Sequence, residues 1–542
     1  MKRNKYNNII GMIAIAGILT SCGDDYLTSY PSTDVVAGAP ATVDVIDQNV
    51  TGAYQLMLFD DYADSQWMPV NLFFDVCTDD VFKGGSDSGD QPYILGVAEF
   101  RSTPTLTASG WWRIFYTGLK RCNGALDAID HAVEDVDAAL LARLKAEMLT
   151  LRAYYVHWLW KAYGNIPYFD KAWTEEPFLA KQYSFEEIYP IIIADLDAAI
   201  AAPEFPLFEK DNAGNPAPVG RVTKAMAMMT KARVVMYKKD QSKYAEVLAD
   251  MKTIINSGAF GLVTTAATPN FTGFSSRNPN VDAPSTTNPI EWIFLRDGEF
   301  CKESIFEVNR IPEGRSWNNA WGGYGMYTPR FVGARDMNII PYVAGWGFCP
   351  VNAATYNAIF NETGDYRKEA SVIPFATSAT YQNTGLFLKK YIARTGYNEG
   401  TMGDRDLNYE NNERIYRIAE AYLNAAELEL AAGGGQGAAQ PYLDAIRDRA
   451  FGDANHRIPA TLNNIKLERH REFFGEGLRF WDLLRWGSDE NGRSISAVLS
   501  INDMNIPIQR TWDDNKKFLP IPQGEIDKTK GTEFELVQNP GY

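Results

Sequence analysis

Histidine is nearly missing from this chain. Its 542 residues contain four: His131, His157, His456 and His470. None belongs to an HExxH, and His470-Arg471-Glu472 lacks that pattern, so no histidine-based metal centre is expected. Cysteine is scarce as well. Of the five, Cys22 lies near the N-terminus, and Cys77, Cys122, Cys301 and Cys349 form neither a CxxC nor a zinc-like spacing. Four cysteines spread over this length do not make a disulfide scaffold; free thiols in the core are the expectation, and the sequence alone does not decide the pairing. Positive charge is in deficit: 52 Lys and Arg stand against 68 Asp and Glu, a formal net charge of −16, with no basic block or stripe. That argues against a nucleic-acid partner. GxSxG, a P-loop and a GxGxxG after a strand are all missing, which removes the common hydrolase and nucleotide-binding arrangements and leaves no cofactor to expect. Gly433-Gly434-Gly435-Gln436-Gly437 is glycine-rich, but no strand precedes it and no Lys-Ser/Thr follows, so it reads as a helix–helix connection. Past the N-terminus no apolar run is long enough to span a bilayer.

The N-terminus carries an address. Lys2, Arg3 and Lys5 form a basic region, residues 9–19 are apolar, and Leu19-Thr20-Ser21-Cys22 matches a bacterial lipobox. Residues 1–21 are expected to be a removed signal peptide, Cys22 the lipid-attachment residue, and residues 22–40 a polar tether. Several acyl chains on one cysteine anchor stably where a single chain does not.

Helical periodicity dominates much of the mature chain. Residues 43–58, 111–132, 138–163, 223–238, 243–255, 413–432 and 438–450 repeat apolar positions at helical spacing. The helix from 138 stops at Gly164-Asn165-Ile166-Pro167, a breaker. Ser184 with Glu187 forms a capping box for a further helix towards Ala201, its first turn limited by Pro190. Small-residue and aromatic helix pairs of this kind suggest tetratricopeptide-like hairpins. By contrast, residues 60–110 and 259–412 lack helical period and are rich in Gly, Pro, Asn, Thr and aromatics. Loops this long are functional or disordered, and the aromatic content argues against disorder.

The densest stretch is residues 464–487. Phe474, Leu478, Trp481 and Arg485 recur at helical spacing, while Gly475 and Gly477 predict a kink. Glu468, Glu472 and Glu476, with Asp482, could present paired carboxylates for glycoside hydrolysis. Interleaved arginines favour the other reading, a network of ion pairs holding the helix in place. Elsewhere, Trp292, Trp317, Trp321, Tyr324, Tyr327 and Trp346 crowd one loop-rich segment. Aromatic faces stack on the C–H faces of sugar rings, and nearby amides and carboxylates serve the hydroxyls. Burial in the core competes with that reading for every ring. Trp317, Trp321 and Tyr324 are the leading candidates, since flanking Gly and Asn argue for a surface loop. A second patch is Asp79-Asp80-Val81-Phe82-Lys83-Gly84-Gly85, with Asp87, Asp90 and Tyr93.

Three stretches carry a family resemblance: Glu468-Arg469 to Gly487; Phe518-Leu519-Pro520-Ile521-Pro522 with Gln538-Asn539-Pro540-Gly541-Tyr542; and residues 415–427. Together they resemble the SusD/RagB family, the starch-utilisation-system outer-membrane lipoproteins of Bacteroidetes. The resemblance implies a mainly α fold, with a tetratricopeptide-like helical-hairpin scaffold packed against a loop-rich ligand-binding half with few short strands. It divides the mature chain into a helical region 41–258 and a C-terminal region 259–542: loop-rich 259–412, helical 413–487 and a tail motif 518–542. Gly23-Asp24-Asp25 resembles the surface-export signal of such lipoproteins. Asp79-Asp80 resembles a family element beside the ligand, which adds Asp80 and Phe82 to the candidates. Gly345-Trp346-Gly347-Phe348 resembles a framework pattern, so Trp346 has both a structural and a ligand-binding reading. The implied function is capture of oligo- or polysaccharide without catalysis, for delivery to a TonB-dependent, SusC-like outer-membrane transporter. A glycoside hydrolase using the carboxylates of the C-terminal helix, and a peptide-binding or purely protein-contacting lipoprotein, are the alternatives.

Overall fold

The computed structural model describes residues 37–59, 69, 72–173, 179–210, 213–217, 220–264, 286–317 and 323–542. The signal peptide, Cys22, most of the tether and Trp321 lie outside the described residues. Ten helices build the scaffold: α1 Val43–Gln55, α2 Ser109–Asp130, α3 Ala138–Tyr163, α4 Phe185–Ala201, α5 Lys224–Lys238, α6 Tyr244–Asn256, α7 Ile418–Ala431, α8 Gly435–Phe451, α9 Leu462–Glu472 and α10 Arg479–Trp486. Local chemistry sets their ends. Asp137 caps α3 by accepting from the Ala139 amide at 3.1 Å, and Gly164 ends it at φ +71°. Both halves of the Ser184–Glu187 capping box form, and α4 then runs through Pro190 to Ala201.

Each helix from α1 to α8 packs on the next. This is the tetratricopeptide-like succession of hairpins, and α6 still meets α7 although residues 257–417 intervene in sequence. Close approach is built in: a Cβ at Gly118 of α2 would lie 2.6 Å from the Tyr155 ring of α3. The core beneath is aromatic. Phe115 stacks on Trp158 at 6.0 Å, and Trp158 meets Trp481 of α10 edge-on at 6.2 Å. The thiols of Cys77, Cys122, Cys301 and Cys349 are free and buried.

The long insertion and the segment before α2 form the loop-rich half. Among the described residues the strands pair two by two: β1 Ile166–Pro167 with β2 Gln182–Tyr183 between α3 and α4, β3 Ser304–Val308 with β6 Glu413–Arg417 and β4 Val372–Pro374 with β5 Leu386–Leu388 in the insertion, and β7 Ile501–Asp503 with β8 Ile508–Arg510 after α10, all antiparallel. Residues 413–417 are predicted helical from sequence but are strand β6. Pairing with β3 extends them, with Val308 opposite Glu413, so a partner about a hundred residues away overrides local period. The predicted kink in residues 464–487 is a complete break: Gly475 and Gly477 have φ of +73° and +78°, and they separate α9 from α10. Two bridges, Val81 with Val351 and Gly84 with Phe348, lock the loop before α2 onto the loop before β4.

Candidate functional site

The carboxylates of the α9–α10 region are all spent on guanidinium and ammonium groups. Glu468 pairs with Arg447 at 2.5 Å, Arg471 at 2.7 Å and Arg367 at 2.9 Å. Glu472 pairs with Arg449 at 2.6 Å and Arg417 at 3.0 Å, and Glu476 with Lys390 at 2.6 Å and Arg417 at 2.8 Å. Asp482 pairs with Arg469 at 2.6 Å and Arg485 at 2.7 Å. Burial opposes the charge on Glu472, but Arg449, Arg417 and Arg367 outweigh it and hold the carboxyl far below the usual range. Burial is likewise overcome at Glu468 and Asp482. A general acid needs the opposite shift. This geometry serves structure, not proton transfer.

A second polar cluster, Asp79, Asp80 and His470, has metal-like proximity. Most of its ligand atoms are already engaged in ion pairs. Both oxygens of Asp79 accept from Arg479 at 3.0 Å, and His470 contacts Asp80 through Nε2 at 2.6 Å and Glu490 through Nδ1 at 3.2 Å. Burial and Arg479 push the His470 pKa down, but Asp80 and Glu490 outweigh them and hold it at about 10. An imidazolium between two carboxylates has no lone pair for a metal.

Among the described residues, a surface cleft of about 640 Å³ opens between the two bridged loops. One wall is aromatic. Trp346 stacks over Tyr327 at 6.0 Å and 25°, and Trp317 lies 5.8 Å from it at a 39° tilt. Tyr327 is fully buried and props Trp346 from below, whereas Trp317 is 51% exposed. Glycine makes this possible: a Cβ at Gly345 would sit 2.2 Å from the Gly333 carbonyl oxygen, so the backbone carrying Trp346 lies directly on its neighbour. Phe348 continues the wall, stacked on Phe331 at 4.2 Å.

The facing wall is polar and comes from the loop after Lys83: Ser86, Asp87, Gly89, Asp90 and Gln91. Asp87 Oδ1 accepts from the Gly89 and Asp90 amides at 2.7 and 3.1 Å, and Asp90 Oδ2 accepts from the Ser86 amide at 2.9 Å. The Gly89 amide, with Ser86 and the Asp90 amide, holds the exposed Asp87 carboxyl below its ordinary pKa. Arg335 closes the rim, donating to the Trp346 carbonyl at 3.1 Å and lying 4.0 Å from Asp90. Stacking faces opposite oriented acceptors and a guanidinium are the groups that a sugar's C–H face and hydroxyls require.

The structure brings Trp317 and Trp346 together at this cleft. It also brings there Asp87 and Asp90, from the other patch singled out in the sequence. Tyr324 is 51% exposed but does not line the cleft; its backbone pairs with Ile311 and Glu313. Asp80 and Phe82 are placed in the interior, correcting the expectation of ligand contact: Asp80 is fully buried against His470, and the Phe82 amide donates to the Pro350 carbonyl at 2.9 Å beneath the bridge. Sequence reasoning passed over Ser86, Gln91 and Arg335. The run Gly84-Gly85-Ser86-Asp87-Ser88-Gly89-Asp90 carries a turn signature that marks the first of these, while nothing local marks Arg335.

Fold and cleft together define a class: a helical-hairpin scaffold presenting an aromatic cleft on its loop-rich half. Comparison with known proteins gives the family. The SusD family profile matches residues 306–542, and a profile described as starch-binding associating with outer membrane matches residues 42–234. The chain is 43% identical to surface glycan-binding protein A from Bacteroides fluxus, with a TM-score of 0.81 over 93% of this chain and 100% of that one. It is 34% identical to surface glycan-binding protein A from Bacteroides thetaiotaomicron, solved in complex with laminarihexaose, with a TM-score of 0.78 over 92% of this chain and 100% of that one. A SusD-like protein, P25, from Formosa agariphila is 23% identical over 89% of this chain and 90% of its own length. The chain belongs to the SusD family.

Proposed function

We propose that this protein is a surface lipoprotein that captures a neutral glucan of the laminarin type in the Trp317–Trp346 cleft and hands it, uncleaved, to a TonB-dependent outer-membrane transporter. The observation that carries the reading is the half-exposed Trp317 set 5.8 Å from the supported Trp346, opposite the polar Ser86–Gln91 wall. The relative solved with laminarihexaose supports the choice of ligand. Anchoring at Cys22, an outward-facing position and the transporter partner rest on the lipobox and on the family's association with the outer membrane. Non-catalytic capture is supported by the paired state of every carboxylate in the α9–α10 region.

The test is a calorimetric titration of the protein with laminarihexaose, with the mixture assayed for new reducing ends. Saturable binding without release is expected. Trp317→Ala removes one stacking face and weakens affinity about tenfold, equivalent to about 1.4 kcal/mol. Unchanged affinity in Trp317→Ala would place the site elsewhere, and release of reducing ends would return the α9–α10 carboxylates to consideration.

A further inference from the structure

The polar wall of the cleft is a short loop whose internal hydrogen bonds are all local, so something must fix it to the body of the protein. Its root is fixed by backbone: the Lys83 amide donates to Gln382 Oε1 at 3.0 Å, and the Cys349 amide to the Lys83 carbonyl at 3.2 Å. Gly84 and Gly85, at φ +71° and +84°, turn the chain tightly over Gly347 and Phe348. Beyond that turn, the side chain of Lys83 folds back under the loop. It is fully buried, its Nζ donates to the Asp87 carbonyl at 2.6 Å, and it lies 5.5 Å from the centroids of both Phe348 and Tyr381. Phe348 is itself a cleft residue, so one ammonium touches both walls.

We propose that Lys83 is the positioning residue of the cleft: its buried ammonium, donating to the Asp87 carbonyl and set against the Phe348 and Tyr381 rings, holds residues 84–91 in the shape that receives the glycan. This rests on the cleft being the glycan site. Burial lowers the Lys83 pKa to about 8, against the pull of Asp90 and Asp87. The groups facing it do not titrate nearby: Asp87 is held low, while burial raises the Tyr381 phenol and the Cys349 thiol, and Phe348 and Gln382 are uncharged. As pH rises through 8, the charge-assisted bond and the cation–π contacts both weaken, and the loop loosens.

The experiment is the laminarihexaose titration from pH 6.5 to 9.5 on wild type, Lys83→Met, Lys83→Arg and Trp317→Ala, each with a melting curve. Wild-type affinity is expected to fall about three- to tenfold across pH 8. Lys83→Met should show the weakened affinity already at pH 7, with a flat profile, and Lys83→Arg should stay flat because a guanidinium keeps its charge. A flat wild-type profile overturns the proposal, as does the same alkaline fall in Lys83→Arg. If Lys83→Met does not fold, those two profiles still decide. Intact binding in Trp317→Ala refutes the cleft itself; binding lost there but wild-type behaviour in both Lys83 variants refutes the role of Lys83 alone.

Discussion

A buried carboxylate survives at the centre of this protein because guanidinium groups surround it. Glu472 is fully buried, and its partners Arg417 and Arg449 come from the end of β6 and from α8. Removing its charge leaves an excess of positive charge in a medium that cannot solvate it, with Arg417 and Arg449 reduced to sharing Glu303, and Arg417 keeping Glu476. Glu472→Gln is therefore expected to cost about 3–5 kcal/mol in denaturant unfolding. A variant as stable as wild type would contradict the network. The need for such pairs was legible in the interleaved Glu and Arg of residues 468–485; which distant arginine serves which carboxylate was not. Asp80 and Asp87 make the same point. Both are acidic residues in one polar patch, yet one is sealed against His470 and the other lines the cleft.

At the scale of elements, local rules placed the helices and packing placed them against each other. Caps, breakers and period located α2 to α6 within a few residues. Their spacing is set by small residues at the contacts. Gly118→Ala would put a methyl carbon 2.6 Å from the Tyr155 ring, whose hydroxyl is already tied to the Ala53 carbonyl at 2.8 Å. That ring cannot swing aside, so the variant is expected to lose about 1–3 kcal/mol of stability, read as a lowered melting temperature. A neutral effect would mean that α2 and α3 slide apart freely. Strand β6 escaped the helical pattern because its conformation is decided by β3, which no window on residues 413–417 contains.

Over the whole molecule, the cluster of Asp79, Asp80, His470, Arg479 and Glu490 clamps the loop-rich half to α9 and α10. Its pH dependence has a definite sign. The folded-state pKa of His470, about 10, lies above its ordinary 6.5, so the contribution is complete below about 6.5 and is lost as pH rises towards 10. His470→Gln should therefore be less stable than wild type by about 2–4 kcal/mol at pH 6, with the gap closing by pH 10. Denaturant unfolding of both proteins at pH 6, 8 and 10 checks this, and a constant gap would contradict it. What the sequence by itself determined is the family, the helical scaffold and the presence of aromatic and acidic candidates, because period, caps and motif spacing are properties of neighbouring residues. Only the tertiary structure decided that Trp317 and Trp346 face Asp87 and Asp90 across one cleft, with Arg335 at its rim and Lys83 beneath it. Those groups come from segments more than two hundred residues apart, and long-range bridges at Val81–Val351 and Gly84–Phe348, not local propensity, bring them together.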